Sequence, residues 1–243
     1  MKRVIAVTLF FLLLAGICPI PAEAVSAQKA ADTLRELGLF GGTGVDESGN
    51  PVYGLDAIPT RAQAIVMLIR LLGDEQAALG GQWRHPFIDV DEWADPYIGY
   101  AFEKGLTYGI SAVSFGSNNT ALPVMYLTFM LRALGYSDSG ETPDFSYDEA
   151  SSFAMSIGLT DKDYPGDFFR GDIAIISLRA LDLKMKNSDA TLIQSLIIKG
   201  AVDAQTAYNA GFSSVPSEGE DDVEAEVEAA DEAMGEAGVG GDA

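Results

Sequence analysis

A chain of 243 residues with 48% hydrophobic and 21% charged side chains can bury a substantial core. Its formal charge of −21, from 15 basic and 36 acidic residues, excludes the basic face that a nucleic-acid partner requires. With one cysteine and one histidine, neither a disulfide, a zinc site built on such ligands, nor a histidine-based triad with a second one can be assembled.

Residues 1–24 read as a signal peptide. Lys2 and Arg3 form a charged start, Val4 to Cys18 an apolar core too short to span a bilayer comfortably, and Ala22-Glu23-Ala24 a cleavage site. Ile17, before Cys18, is bulky where a lipidation signal wants a small residue, so the cysteine leaves with the leader and stability must come from burial. Loss of Lys2, Arg3 and Glu23 leaves 13 basic and 35 acidic residues, a mature charge of −22. No later apolar run approaches the ~20 residues of a spanning helix, so the expected product is exported and carries no integral membrane segment.

A first unit, 25–74, opens with a helix through Ala27 to Leu37 whose stripe is Ala30, Ala31, Leu34 and Leu37, stopped by Gly38. Turns rich in Gly, Asn and Pro lead to TRAQAIVMLIRLLG. There Thr60 and Gln63 form a capping box, Pro59 sets the entry, Gly73 ends the helix, and Ala64, Ile65, Met67, Leu68, Leu71 and Leu72 form a broad buried face. Arg61 sits in the first turn against the macrodipole, at a cost of about 0.3–1 kcal/mol. A guanidinium beside free helix amides makes a two-part site for a carboxylate or phosphate; the competing reading has Arg61 reach solvent or pair with Asp56 or another nearby acid.

Residues 75–86 read as a linker with a flexible joint at Gly80-Gly81. In the second unit, 87–136, Asp89 or Asp91 caps a helix that turns Trp93, Ile98, Ala101 and Phe102 inward, with Pro96 in the first turn and Gly105 at the end. A loop through Phe115-Gly116 then delivers a helix from Val124 to Leu134. After a linker at 137–144, the third unit, 145–187, starts with a Ser146/Glu149 capping box, passes Gly158 and the loop TDKDYPGDF, and opens its second helix at Arg170. Closing helices follow within 188–212, from Ser188 to Lys199 and from Asp203 to Ala210. The remainder, 213–243, is an acidic tail; from 217 on it holds eleven acids and no Lys, Arg or aromatic residue, a composition that predicts disorder. Its readings are solubilising, weak calcium buffering, spacing within a wall, or a helix around Val223 to Met234. No stretch shows sustained period-two alternation between hairpin turns, so the fold class is all-α.

Arg61 and Arg70 are nine positions apart, as are Arg170 and Arg179, with apolar residues in phase between them. A middle copy, Thr120 to Tyr136, carries Arg132 in the place of Arg70, so the chain reads as a threefold internal repeat. Unit two's Phe87, Asp89, Val90, Trp93, Ala94, Tyr97 and Ile98, followed by Gly105, Leu106 and Gly109, together with unit one's T-R-A-Q, resemble the S-layer homology (SLH) family of bacterial envelope anchors over about residues 27–182. The resemblance implies three helical units packed as a pseudo-threefold array, a Gram-positive-type cell wall or surface location, and binding of a secondary cell-wall polysaccharide through pyruvate ketal carboxylates. It matches Arg61 and Arg170 to the arginine that meets the acidic sugar, and Asp89 and Trp93 to groove-shaping residues; Thr60 and Gln63 complete the candidate glycan site. Unit two departs from it, with Leu122-Pro123-Val124-Met125 opposite Thr60-Arg61-Ala62-Gln63; unit one lacks the opening motif and tryptophan, and unit three has Phe153 where a tryptophan is expected. At most two competent grooves are expected.

Asp161, Asp163, Gly166 and Asp172 fall at positions 1, 3, 6 and 12 of a possible calcium loop, with Pro165 where a ligand is wanted; Asp172 otherwise suits the helix start. No carboxylate pair stands out for hydrolysis, and neither enzymatic activity nor a cofactor is expected. The leading function is non-covalent anchoring to the wall polysaccharide. The alternative is a structural envelope protein with vestigial grooves, acting through partner proteins or self-association.

Overall fold

The structure, a computed structural model, describes residues 25–213; the expected leader, and the acidic tail from 214 on, lie outside the described residues. Helix α1 (Ala27–Glu36) is capped by Ser26, whose hydroxyl accepts from the Lys29 amide. In α2 (Arg61–Leu71) the expected box forms: the Gln63 amide donates to Thr60 Oγ1 at 3.2 Å and the Thr60 amide to Gln63 Oε1 at 3.0 Å. A helix apolar on nearly every side belongs at the centre, and α2 packs against α3 (Glu75–Gly80), α4 (Asp95–Glu103), α5 (Pro123–Ala133) and α7 (Arg170–Leu181). Between α5 and α7, α6 (Ala150–Ser156) follows a single 3-10 turn at Tyr147–Glu149. Two short helices, α8 (Leu192–Ile198) and α9 (Ala204–Asn209), end the described chain.

Each of α1, α4 and α6 packs on a long helix: α1 on the distant α7, α4 on α2 and also on α3, and α6 on the preceding α5. The contact of α1 with α7 brings the first and last long segments together, and the buried Tyr126 hydroxyl meets Ser177 Oγ at 2.8 Å to join α5 to α7. From α8 onward the chain covers the end of α2. Lys199 Nζ bonds the Leu72 carbonyl at 2.9 Å and the Asp74 carboxylate, and Ala201 lies against Gly73.

Four local readings are corrected. The described residues are mostly helical, but strands β1 (Gly44–Val45) and β2 (Pro51–Val52) pair antiparallel in the glycine-rich stretch. The turn between them is held by Asp46, whose carboxylate accepts from Ser48 and Asn50; two-residue strands are too short to show alternation. Second, the stretch 75–86 holds α3, and in its doubled glycine Gly81 is a packing position while Gly80 has open space beside it. A Cβ on Gly81 would lie 2.4 Å from the Trp83 ring, and one on Gly99 would lie 2.8 Å from Trp83 Cβ. The indole is pinned by its N–H to the Ala78 carbonyl at 2.9 Å and stands edge-on to Tyr100. Third, neither aspartate side chain caps α4: Ala94 is the N-cap, and the Asp91 carbonyl receives the Ala94 and Asp95 amides. Fourth, while Ile98 and Ala101 are buried as expected, Trp93 is 51% exposed. Preceding α4 rather than lying in it, Trp93 escapes the helical phase that would have turned it inward.

Candidate functional site

Helices α2, α5 and α7 start in one register. Thr60, Leu122 and Phe169 are extended N-cap residues, and Arg61, Pro123 and Arg170 take the first helical position. The amides expected to be free for an anion are already used. Arg61 and Ala62 donate to the carbonyls of Asn119 (2.8 Å) and Ser117 (3.1 Å), and Arg170 and Gly171 donate to those of Ala57 (3.0 Å) and Leu55 (2.8 Å). The two-part anion site is therefore corrected to a guanidinium alone. The same carbonyls present their negative ends to the helix start and offset the field that a cation there would otherwise oppose. Pro123 has no N–H, and Val124 makes no such bond among the described residues.

Arg61 neither reaches solvent nor pairs with Asp56. At 8% exposure it lies between the Phe115 and Phe129 rings, 4.8 and 4.9 Å from their centroids, with Nη2 3.5 Å from Thr107 Oγ1 and Nε without a partner. Burial pulls its pKa down to about 10, with Tyr147 and Asp89 pulling it up and Arg132 down.

Arg170 lies in a different setting. It lines a groove of about 310 Å³ with Gln63, Met67, Arg70, Trp93 and Tyr97, contributed by α7, α2, α4 and the turn before α4. Its Nε donates to the Tyr53 carbonyl at 2.9 Å and Nη1 rests 3.6 Å from Met67 Sδ, which aims the head while leaving it without a carboxylate partner among the described residues. Its pKa is lowered, by burial first and then by the Arg70 charge. Thr60 is occupied in capping; Gln63 caps through Oε1, which leaves its Nε2 donors without a partner among the described residues. The groove thus gathers Arg170, Trp93 and Gln63 and leaves Arg61, Thr60 and Asp89 outside it.

Asp89 is consumed by a loop. Its carboxylate accepts from the Phe115 and Gly116 amides, each at 2.8 Å, and from Ser114 Oγ at 2.6 Å. Burial raises its pKa, but these three bonds outweigh it and the net shift is downward. The calcium-loop carboxylates are also separated. Asp161 pairs with Arg179, Asp163 accepts the Tyr164 amide, and Asp172 accepts the Phe169 amide and Lys162 Nζ. No metal-ready group of three or more His, Cys, Asp or Glu is gathered among the described residues.

Arg70, Met67 and Tyr97 were not expected in the groove. For Arg70 the nine-residue spacing of the arginines was the signal: Arg70, Arg132 and Arg179 occupy one position in their helices and each meets an acid, respectively Glu75, Asp138 and Asp161.

No family model matches the chain. It is similar to a cell surface protein of Thermoanaerobacter kivui, 34% identical over 166 residues, covering 65% of this chain and 21% of that protein. It is also similar to the middle cell wall protein of Brevibacillus brevis, 28% identical over 210 residues (80% and 19%), and to a surface layer protein of Brevibacillus choshinensis, 23% identical over 208 residues (80% and 18%). The chain spans about a fifth of the length of these curated relatives, and none of the three names denotes an enzyme.

Proposed function

We propose that the chain is an SLH-type wall anchor, secreted to the cell wall or surface, that binds an acidic, pyruvylated wall polysaccharide non-covalently in the Arg170 groove. The observation that carries this reading is the groove itself. A guanidinium without a carboxylate partner faces an exposed indole and the free amide donors of Gln63, a charged contact for a sugar acid beside an apolar surface for a sugar face. The names of the relatives support the envelope location and leave the ligand open. The three units at 25–74, 87–136 and 145–187 belong to the proposal, supported by the common start of α2, α5 and α7.

The second reading, a structural envelope protein with vestigial grooves, is favoured at Arg61, whose burial between two phenylalanines leaves little of the cation for a ligand. Co-sedimentation with purified wall, native and depyruvylated, separates the two. Arg170→Ala is expected to weaken binding to native wall by about tenfold or more, ~1.4 kcal/mol, and Arg61→Ala by much less. Binding indifferent to Arg170 and to the ketal leaves the structural reading standing.

A further inference from the structure

The ion pairs at Arg70 and Arg132 occupy one helical position but differ in cover. In the second unit Arg132 and Asp138 have side chains only 12% and 9% exposed, and Tyr108 lies 4.4 Å above the guanidinium. At Arg70 and Glu75 the exposures are 35% and 32%. Counting from the glycine that ends each first helix, Gly38 or Gly105, Gly41 stands where Tyr108 stands. A Cβ on Gly41 would already lie 3.4 Å from Arg70 Nη1. The missing ring leaves a cavity of about 440 Å³, bordered by Gly41, Gly42, Gly73, Arg70, Glu75 and Gln76. Arg70 lines both this cavity and the Arg170 groove.

We propose that this cavity is a second subsite that takes an uncharged sugar residue of the same polymer. The opposite charges of Arg70 and Glu75 cancel, so the cavity offers a cation or an anion no net attraction. Arg70 spends Nε and Nη2 on Glu75 Oε1, which also accepts the Tyr97 hydroxyl at 2.7 Å. Nη1 and Glu75 Oε2 have no protein hydrogen-bond partner among the described residues, leaving donor capacity on one member of the pair and an acceptor on the other. Hydroxyls distributed around one pyranose ring meet that demand, one accepting from Nη1 and another donating to Oε2, and the Gln76 amide serves a third polar group. A volume of this size admits a monosaccharide with room for an acetamido substituent.

The placement on one polymer rests on the reading of the Arg170 groove; the binding of a neutral sugar does not. In protein-observed NMR with free N-acetylglucosamine as probe, the amides of Gly41, Gly42 and Gln76 are expected to shift, in the parent and equally in Arg170→Ala. Gly41→Tyr, which installs the cover found at Arg132, is expected to abolish those shifts, and Gln76→Ala, an exposed change compatible with folding, to weaken them severalfold. Wall fragments of one and three sugars with an acidic end provide the second readout. The longer fragment is expected to bind the parent about tenfold more tightly than the shorter, and Gly41→Tyr to lose that gain while holding the shorter one as before. Absence of shifts at Gly41 and Gln76 in the parent overturns the subsite whatever Arg170 does. Shifts that persist while neither fragment depends on Arg170 retain the subsite and remove the anchor reading.

Discussion

Asp89 carries the loop that carries Arg61. Its three hydrogen bonds hold residues 114–116, the Phe115 ring covers the guanidinium, and the Ser117 carbonyl receives the Ala62 amide. A residue matched to glycan binding thus acts as the fastening of a neighbouring helix start. Its folded pKa lies below the unfolded carboxylate value of about 3.9, so its contribution is complete above that value and is lost as pH falls through the lower folded one. Asp89→Asn keeps the shape but replaces one acceptor oxygen with a donor. Urea denaturation at pH 7 should show a loss of about 1–3 kcal/mol, and below pH 4 the gap between variant and parent should narrow. Arg61 is the costlier member of this cluster. It is buried with an unpartnered Nε, and two aromatic faces are its main compensation.

At the scale of elements, α2 and its flanks show what the sequence could and could not reveal. The Thr60/Gln63 box, the stop at Gly73 and the shared register of Arg61, Pro123 and Arg170 were readable because capping and helical period are local properties. Who supplies the hydrogen bonds at those helix starts was not, because Ser117, Asn119, Leu55 and Ala57 act through backbone carbonyls that no side chain marks. Trp93 and α3 were misread for a related reason: six residues hold too little periodicity, and a tryptophan before a helix has no phase to follow. Gly73 ties α2 to the closing helices. Its φ is +66° and an added Cβ would lie 2.4 Å from that of Ala201, so Gly73→Ala strains the backbone and pushes the α8–α9 connection away. Thermal denaturation should report a loss of about 1–3 kcal/mol, and hydrogen exchange should speed up first at Leu196 to Val202.

For the whole molecule, a chain with a formal charge of −21 is proposed to hold an anionic polymer. Repulsion between the two acts at long range and is screened over about 10 Å at 0.1 M salt, whereas the contact of Arg170 with a carboxylate is short-ranged and persists. Wall binding is therefore expected to strengthen from ~10 mM to ~100 mM salt. A monotonic decline across that range in the co-sedimentation assay contradicts the balance of terms. The mostly helical class and the order of the long helices were legible from apolar spacing, but the β1–β2 pair and the packing of α1 with α7, α4 with α2 and α6 with α5 were not. Periodicity says that a helix has a face to bury and is silent on which neighbour receives it.

Pro123 has an effect well away from its own ring. With no amide hydrogen to offer, the start of α5 releases the segment leading into α7, which touches α5 through Phe168 and Tyr126, from delivering a carbonyl at a set distance. That segment, Thr160 to Phe168, therefore carries no carbonyl on which the first position of α5 depends, whereas the stretches ending at Ala57 and Asn119 each supply one to a helix start. The imino acid at the start of α5 and the freedom of the segment leading into α7 are two sides of one geometry.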